Sequence, residues 1–131
     1  MVIDTSAILA ILFAEPPADR LVRAIAGAPE RRLPATAAVE SAAVLLARKG
    51  PSGPIVLDAM LQRLGVEVVP MDAAAAGHAR TAYQRFGRGV GNPAVLNFGD
   101  CLSYGVARAF GDTLLFTGAD FAETDVAPAP Y

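Results

Sequence analysis

Four short apolar segments alternate along the chain with longer stretches in which apolar residues recur at helical spacing. The apolar segments lie at residues 2–5, 32–35, 66–70 and 113–117. Parallel strands need a crossover connection, and that connection is usually a helix. The alternation therefore predicts an α/β fold: a three-layer α/β/α sandwich with a mainly parallel central sheet. The length, with no internal repeat or linker, predicts a single domain over residues 1–131.

Capping residues and helix-stopping residues place the helices between these strands. Thr5 or Ser6 is expected to cap the first helix, and Thr36 is expected to cap the Ala-rich helix that ends at Gly50. The Pro-rich tail at 126–131 is expected to be irregular. Helices are predicted at residues 6–13, 17–26, 37–50, 55–64, 72–86 and 99–110.

The composition excludes several classes of protein. A hydrophobic content of 53% argues against disorder. The longest apolar stretch, at 7–14, is too short to cross a bilayer, and no basic segment precedes it as in a signal peptide. The lone Cys101 excludes an internal disulfide and is compatible with a reducing cytoplasm. We therefore expect a cytoplasmic protein with no membrane association.

Four acidic residues fall where an α/β sheet gathers its ligands. Asp4 ends the first strand, Asp100 starts a helix, and Asp120 follows the last strand. Glu40, one turn into a helix, reaches the same edge if its helix follows a strand. Open α/β sheets bind ligands at the carboxyl ends of their strands. Clustered carboxylates repel unless a cation is present, and hard divalent cations such as Mg²⁺ prefer oxygen ligands. The pattern favours metal-assisted hydrolysis of a phosphodiester.

Each acid also has a purely structural interpretation. Asp4 and Asp100 are both residue types that cap helices, and Asp120 suits a turn. Glu40 is harder to explain in this way, because no basic residue lies within a helical turn of it. Its small apolar neighbours are also unusual for a surface helix.

Basic and aromatic residues give weaker signals. The net charge of −2 does not indicate a nucleic-acid partner. Arg85 and Arg88 flank a glycine-rich loop at 87–93, where phosphate contact and a solvated charge are equally good interpretations. Five aromatic residues are candidates for stacking on bases, although core packing is favoured for most of them: Tyr83, Phe86, Phe98, Tyr104 and Phe110.

The order and spacing of four segments resemble the PIN-domain ribonucleases, in particular the VapC-type toxins of bacterial toxin–antitoxin pairs. The resemblance runs from end to end. It is carried by Met-Val-Ile-Asp-Thr-Ser-Ala at 1–7, Ala-Ala-Val-Glu-Ser-Ala at 37–42, Leu-Asn-Phe-Gly-Asp-Cys at 96–101 and Leu-Leu-Phe-Thr-Gly-Ala-Asp-Phe at 114–121.

The resemblance implies a compact α/β/α sandwich and an endoribonuclease that cuts structured RNA, such as transfer or ribosomal RNA, and so inhibits translation. It implies a Mg²⁺ or Mn²⁺ site in which Asp4 and Asp100 are the principal ligands. Glu40 and Asp120 would complete the acidic cluster. Ser6, and less clearly Thr5, would orient the first acid or contact phosphate.

The resemblance also implies partners: a homodimer, and an antitoxin that docks on the helices at 6–13 and 17–26 and inserts a basic side chain into the acidic site. The chain departs from the family pattern after its last strand. Thr117 stands where many relatives have Lys, and Ala119 where they have Asp or Asn. Both departures bear on substrate affinity and on the geometry of a second metal ion.

Three other functions fit parts of the pattern. The first is a PIN scaffold that binds RNA or a partner without cutting, which the four acids argue against. A phospho-accepting receiver domain would need a Lys near the last strand, whereas the only Lys is Lys49. A phosphatase with an Asp nucleophile usually needs a second Asp two residues later, where this chain has Ser6.

Overall fold

The computed structural model describes residues 1–91 and 93–131; Asn92, within the glycine-rich loop, lies outside the described residues. The strands are β1 (Val2–Ile3), β2 (Arg32–Pro34), β3 (Glu67–Val69) and β4 (Leu114–Leu115). The helices are α1 (Thr5–Leu12), α2 (Ala18–Gly27), α3 (Ala35–Lys49), α4 (Ser52–Leu64), α5 (Ala73–Phe86) and α6 (Phe98–Phe110).

The four strands form one parallel sheet in the order β3-β2-β1-β4. The first strand is central: Val2 is in register with Arg32 on one side and with Leu114 on the other. Since every connection between paired strands contains at least one helix, the chain crosses over the sheet as a parallel topology requires. The α/β sandwich and parallel sheet predicted from the sequence are confirmed.

The two faces of the sheet bury separate apolar clusters. Successive strand residues point to opposite faces, so Val2 and Leu114 pack in the cluster beneath α5 and α6. Ile3 and Leu115 pack on the other side with residues of α1 to α4. Because β1 and β4 are covered on both faces, all four of these side chains are fully buried.

Two of the predicted helix caps are wrong. Asp4 caps α1 by accepting a hydrogen bond from Ser6 N–H, so neither Thr5 nor Ser6 is the cap. The third helix follows Pro34 directly, without a side-chain cap. Thr36 therefore lies inside its first turn, and its buried Oγ1 has no hydrogen-bond partner among the described residues. The direct transition from β2 to α3 leaves no room for the predicted cap.

The C-terminal tail is more ordered than expected. It has neither helix nor strand, but it runs beside β4 with an isolated bridge between Leu114 and Pro128. Leu114 N–H donates to Ala127 C=O at 2.9 Å, and Ala129 N–H donates to Leu114 C=O at 2.8 Å. The tail thus pairs with backbone groups that an edge strand would otherwise expose.

None of the helices in the described part of the chain is long and apolar enough to cross a membrane.

Candidate active site

Asp4 sits at the junction of the central strand and the first helix. Its side chain is only 3% exposed. The Oδ2 atom accepts hydrogen bonds from Ser6 N–H at 2.9 Å and from the Ser6 hydroxyl at 2.7 Å. A carboxylate at a helix N-terminus is stabilised by these donors and by the helix dipole. These two hydrogen bonds hold Asp4 in a fixed orientation.

Ser6 connects this acid to the segment that follows the last strand. Its Oγ atom accepts a hydrogen bond from Thr117 N–H at 3.1 Å while it donates to Asp4. Thr117 takes part in this link through its backbone N–H. The hydrogen bond to Ser6 anchors the turn that carries Asp120 beside the N-terminus of α1.

Glu40 reaches the site from the second turn of α3. The Thr5 hydroxyl donates to its Oε2 atom at 2.7 Å. Gly99 lies against the same carboxylate, and a Cβ added there would be 2.9 Å from Oε2 and 3.0 Å from Oε1. The absence of a side chain at Gly99 thus allows α6 to approach Glu40. Contrary to the expectation from its apolar neighbours, Glu40 lies on an exposed face, and Val39 beside it is 71% exposed.

Asp100 is positioned by a capping box at the start of α6. Asn97 is the N-cap: its Oδ1 accepts from Asp100 N–H at 2.9 Å, and Asp100 Oδ2 accepts from Asn97 N–H at 2.7 Å. The interpretation of Asp100 as the cap itself is therefore wrong. Asn97 was missed in the sequence, although its spacing of three residues from Asp100 matches the capping-box pattern.

The electrostatics of Asp100 show that the four acids share one region. Burial raises the pKa of Asp100 to about 6, against the lowering effect of the hydrogen bond from Asn97. Three further carboxylates raise it by repulsion, namely Asp4, Asp120 and Glu40. Asp120 is exposed. The structure thus brings together the acids that the sequence singled out, with two of them buried and two at the rim.

The two arginines lie outside this cluster. Arg85 donates from Nη1 to Asp125 Oδ2 at 2.8 Å and lies over the ring of Phe86. The hydrogen bond to Asp125 raises the pKa of the Arg85 guanidinium. Arg88 is exposed in the loop after α5, and its backbone N–H donates to Leu96 C=O at 3.0 Å. Neither arginine is seen in contact with the four acids.

The acids have the chemistry of a site for a hard divalent cation, but they do not form a closed cage. Among the described residues, no three His, Cys, Asp or Glu side chains are grouped so that they could hold a metal ion. The hydrogen bonds of Asp4 and Asp100 described above all use Oδ2, which leaves Oδ1 of each acid for a ligand. Glu40 and Asp120 are exposed at the rim of the cluster. The donor set is of the kind that Mg²⁺ or Mn²⁺ prefers, because one or two carboxylates together with water molecules can hold such an ion.

A separate apolar groove lies among α1, α2 and α4. The sequence pointed to α1 and α2 as a docking surface, and the structure adds α4. The groove has a volume of about 490 Å³. It is lined by Ile11, Leu12, Val22, Val56, Ala59, Met60, Arg63 and Leu64.

Comparison with known proteins gives a consistent result. Residues 1–127 match the PIN domain family. The chain is 46% identical over 127 residues to Ribonuclease VapC of Mycolicibacterium smegmatis, covering 97% of this chain and 98% of that protein. Among solved structures, VapC20 of Mycobacterium tuberculosis, described as a sarcin-ricin loop cleaving toxin, superposes with a TM-score of 0.74. That match has 18% identity and covers 96% of this chain and 95% of VapC20. A toxin-antitoxin complex from Klebsiella pneumoniae matches with a TM-score of 0.72 and 15% identity, over 99% of this chain and 97% of that one.

Proposed function

The chain belongs to the PIN-domain family and, within it, to the VapC group, and from this premise we propose that it is a metal-dependent endoribonuclease. The observation that carries the proposal is the convergence of two buried acids, Asp4 and Asp100, each oriented at the start of a helix. Two exposed acids, Glu40 and Asp120, lie close enough to repel a charge on Asp100. Such a cluster suits phosphodiester hydrolysis better than it suits a purely structural role.

The metal site of the proposal consists of Asp4 and Asp100 as principal ligands, with Glu40 and Asp120 completing it. When bound, Mg²⁺ or Mn²⁺ would relieve the repulsion among the acids and stabilise negative charge on the phosphate oxygens. The protein's own contribution is orientation. Ser6 and Asn97 fix the two buried carboxylates, as hydrogen-bond partners of metal ligands commonly do.

The exposed acids have a different task in this proposal. The Thr5 hydroxyl holds Glu40 by a hydrogen bond, and Asp120 lies in the turn after β4. Both reach solvent, so they are placed to hold water near the bound phosphodiester. Thr117 keeps its segment in place through the hydrogen bond from its backbone N–H to Ser6.

Structured RNA is the proposed substrate, with transfer or ribosomal RNA as the class. Support comes from the ribonuclease name of the relative in M. smegmatis and from the sarcin-ricin loop in the description of VapC20. Arg88, which is exposed near the start of the loop leading to α6, is available for phosphate contact.

The biological role that we propose is that of a cytoplasmic toxin, controlled by an antitoxin, whose RNA cleavage inhibits translation. The groove among α1, α2 and α4 has the apolar lining that would take an amphipathic helix of the antitoxin. A basic side chain of the antitoxin inserted among the four acids would block them. The fold match to a toxin-antitoxin complex from K. pneumoniae is consistent with such a partner. A homodimer is part of the same proposal.

The proposed activity is tested with purified protein freed of antitoxin. We expect cellular RNA to be cut in the presence of Mg²⁺ or Mn²⁺, and we expect cutting to stop with EDTA. Asp4→Asn and Asp100→Asn should each reduce cleavage by at least about a hundredfold. Sequencing of RNA ends after brief induction in cells would identify the cut site. A wild-type protein that cuts no cellular RNA with either metal would contradict the proposal.

A PIN scaffold that binds RNA or a partner without cutting is the second candidate, and the lack of a closed metal cage among the described residues favours it. Calorimetric titration of Mn²⁺ into the wild type and Asp100→Ala separates the two: the nuclease should bind metal and lose binding on substitution. The receiver-domain alternative fits poorly, because Lys49 Nζ donates to Leu12 C=O and lies over the ring of Phe13.

A further inference from the structure

The fold leaves apolar surface uncovered on both sides of the sheet. On one side, Phe98 at the start of α6 is 71% exposed, so core packing, the interpretation favoured from its spacing, is wrong for this residue. Phe86 and Tyr104 are buried as expected. On the other side lies the groove among α1, α2 and α4, where an amphipathic helix of the antitoxin is proposed to dock. Two cations outside this groove hold its walls in place.

Arg31 connects the last turns of two helices that form walls of the groove. Its Nε atom donates to Ala28 C=O at 2.9 Å and its Nη2 atom donates to Ala26 C=O at 3.1 Å, both at the C-terminal end of α2. Its Nη1 atom donates to Leu64 C=O at 2.7 Å, at the end of α4. Carbonyl groups of a last turn have no partner within their own helix, and the helix dipole favours a cation beside them. One guanidinium therefore caps both helices.

The backbone of Arg31 fixes this guanidinium to the sheet. Arg31 directly precedes β2, and its C=O accepts a hydrogen bond at 2.8 Å from the N–H of Glu67, the first residue of β3. Gly65, the C-cap of α4, permits the close approach, because a Cβ added there would lie only 3.2 Å from Arg31 Nη1. The ends of α2 and α4 are thus tied to each other and to the sheet.

The third wall of the groove is held in a similar way. Lys49, at the end of α3, donates from Nζ to Leu12 C=O at 2.7 Å, and the same atom lies 5.2 Å from the centre of the Phe13 ring. Leu12 and Leu64 both line the groove, and the carbonyl oxygen of each is bound to a cation from another segment. Because contacts outside the groove fix its walls, the apolar lining is in place before any partner binds.

The lining of the groove indicates the chemistry of the partner. Apart from Arg63, the residues that line it are apolar. Arg63 is exposed and makes no ion pair among the described residues. A helix with an apolar face and a carboxylate placed against Arg63 would therefore match this surface in both shape and charge.

We propose that Arg31 is a positioning residue for antitoxin binding, because it keeps α2 and α4 at the spacing that receives the antitoxin helix. This rests on the proposed control by an antitoxin and adds how the docking groove is preorganised. A site held in its bound shape loses less conformational freedom when the partner arrives. Once the two helices are untied, only a fraction of the molecules presents the open groove, and the apparent affinity falls by that fraction. Lysine cannot replace Arg31, since its single ammonium does not reproduce a planar fork of donors.

The first measurement needs no partner. In the free protein, amide hydrogen exchange in the last turns of α2 and α4 should be about tenfold faster in Arg31→Met than in the wild type, with α5 and α6 unchanged. Arg32→Met is the matched control. It removes a guanidinium from the next residue, whose ion pairs with Asp112 and Glu30 lie outside the groove. The control should leave exchange in both turns unchanged.

The second measurement is binding of the antitoxin. The probe is the labelled full-length product of the reading frame directly upstream of the gene for this chain. Arg31→Met and Arg31→Lys should each weaken its binding about 10- to 100-fold, whereas Arg32→Met should stay within about twofold of the wild type. RNA cleavage by the free protein should be unchanged in all three variants. Arg31 precedes β2, whereas the acids lie at the carboxyl ends of the strands.

Other results would overturn the inference. If Arg31→Met leaves exchange in both turns unchanged, Arg31 does not hold the walls. If Arg31→Met and Arg32→Met weaken antitoxin binding equally, the cause is a general loss of stability. If Arg31→Met lowers the particle mass of the free protein in light scattering and leaves antitoxin binding unchanged, a second copy of the chain covers the groove. A wild type that does not bind the probe refutes the proposed control by an antitoxin, whereas binding that the Arg31 variants retain refutes only this inference.

Discussion

Ser6 and Thr117 are hydrogen-bonded at the carboxyl end of the sheet, 111 residues apart in the chain, with Thr117 N–H donating to Ser6 Oγ at 3.1 Å. The same hydroxyl donates to Asp4 Oδ2 at 2.7 Å. One small side chain therefore orients the buried acid of the central strand and fixes the segment that carries Asp120. This bridge predicts a strong dependence of activity on a residue that need not touch a metal ion.

Ser6→Ala should reduce RNA cleavage by about 10- to 100-fold, as expected for loss of a hydrogen bond that orients Asp4, a proposed metal ligand. The free energy of unfolding should fall by about 1 to 2 kcal/mol, because Thr117 N–H and Asp4 each lose a partner. Initial cleavage rates and urea unfolding measure the two effects. Ser6→Thr retains the hydroxyl and should recover most of the activity. Equal activity of the wild type and Ser6→Ala would show that the bridge has no role in orienting Asp4.

Gly99→Ala should impair cleavage with little effect on stability. The added Cβ would lie 2.9 Å from Glu40 Oε2, so the carboxylate must move away from Thr5. Because the displaced atoms are the end of a flexible side chain, the free energy of unfolding should change by less than about 1 kcal/mol. Gly77→Ala is the matched control: nothing lies within 4 Å of its Cβ, and α5 should gain about 0.5 to 1 kcal/mol without a change in activity. Full activity of Gly99→Ala would show that the position of Glu40 does not matter.

Asp100→Asn should stabilise the metal-free protein above neutral pH while it abolishes cleavage. Since burial and neighbouring acids raise the pKa of Asp100 to about 6, folding is opposed once this carboxyl ionises. This destabilisation is absent at pH values below the ordinary aspartate pKa of about 4. It grows as the pH rises through about 6 and is complete at higher pH. In EDTA, the melting temperature of the variant should exceed that of the wild type by a few degrees near pH 8 and by almost nothing near pH 4. A difference that does not change with pH would contradict the raised pKa.

Tyr104→Phe should destabilise the fold by about 1 kcal/mol near neutral pH, an amount limited by the partial exposure of Asp125. Tyr104 Oη donates to Asp125 Oδ1 at 2.5 Å, which lowers the pKa of Asp125. Because the pKa of Asp125 is lower in the folded protein than in the unfolded chain, the resulting stability is present at pH values above the ordinary carboxyl pKa. It is lost as the pH falls through the pKa of the folded protein. Burial, and then the bond to Asp125, raise the pKa of Tyr104 to about 12, so the contribution is also lost as pH rises from about 10 through 12.

Urea unfolding at roughly pH 3, 7 and 11 tests this prediction. The difference between the wild type and Tyr104→Phe should be largest at the middle value and smaller at both ends. RNA cleavage should be unchanged, because Asp125 pairs with Arg85 and Tyr104 and not with the four acids. A difference that is largest at acid pH would contradict the direction of the Asp125 shift.

Much of the fold was predictable because local patterns specify it. Gly50 ends α3 with a positive φ angle of 71°, as the sequence indicated, and Gly65 ends α4 with a φ angle of 61°. Thr36 shows the limit of such reasoning. It is a good capping residue, but β2 runs directly into α3, and the position of a cap depends on where the strand ends in the sheet.

The candidate site likewise combines features that local sequence predicts with features that only distant contacts determine. The identities and order of the acids pointed to Asp4, Glu40, Asp100 and Asp120, and the structure places them together. The supporting contacts were not predictable, because each joins segments far apart in the chain. Thr5 meets Glu40 across 35 residues, and Ser6 meets Thr117 across 111.

Residues close together in the chain encode the alternation of strands and helices, the acids at the strand ends and the capping-box spacing of Asn97 and Asp100. Contacts between distant segments set the strand order β3-β2-β1-β4, the exposure of Phe98 and the position of the C-terminal tail beside β4. Those features depend on how distant segments pack together and on which surfaces remain uncovered once the core has formed. An apolar residue at helical spacing has the same local pattern whether its helix face is covered or left open to a partner.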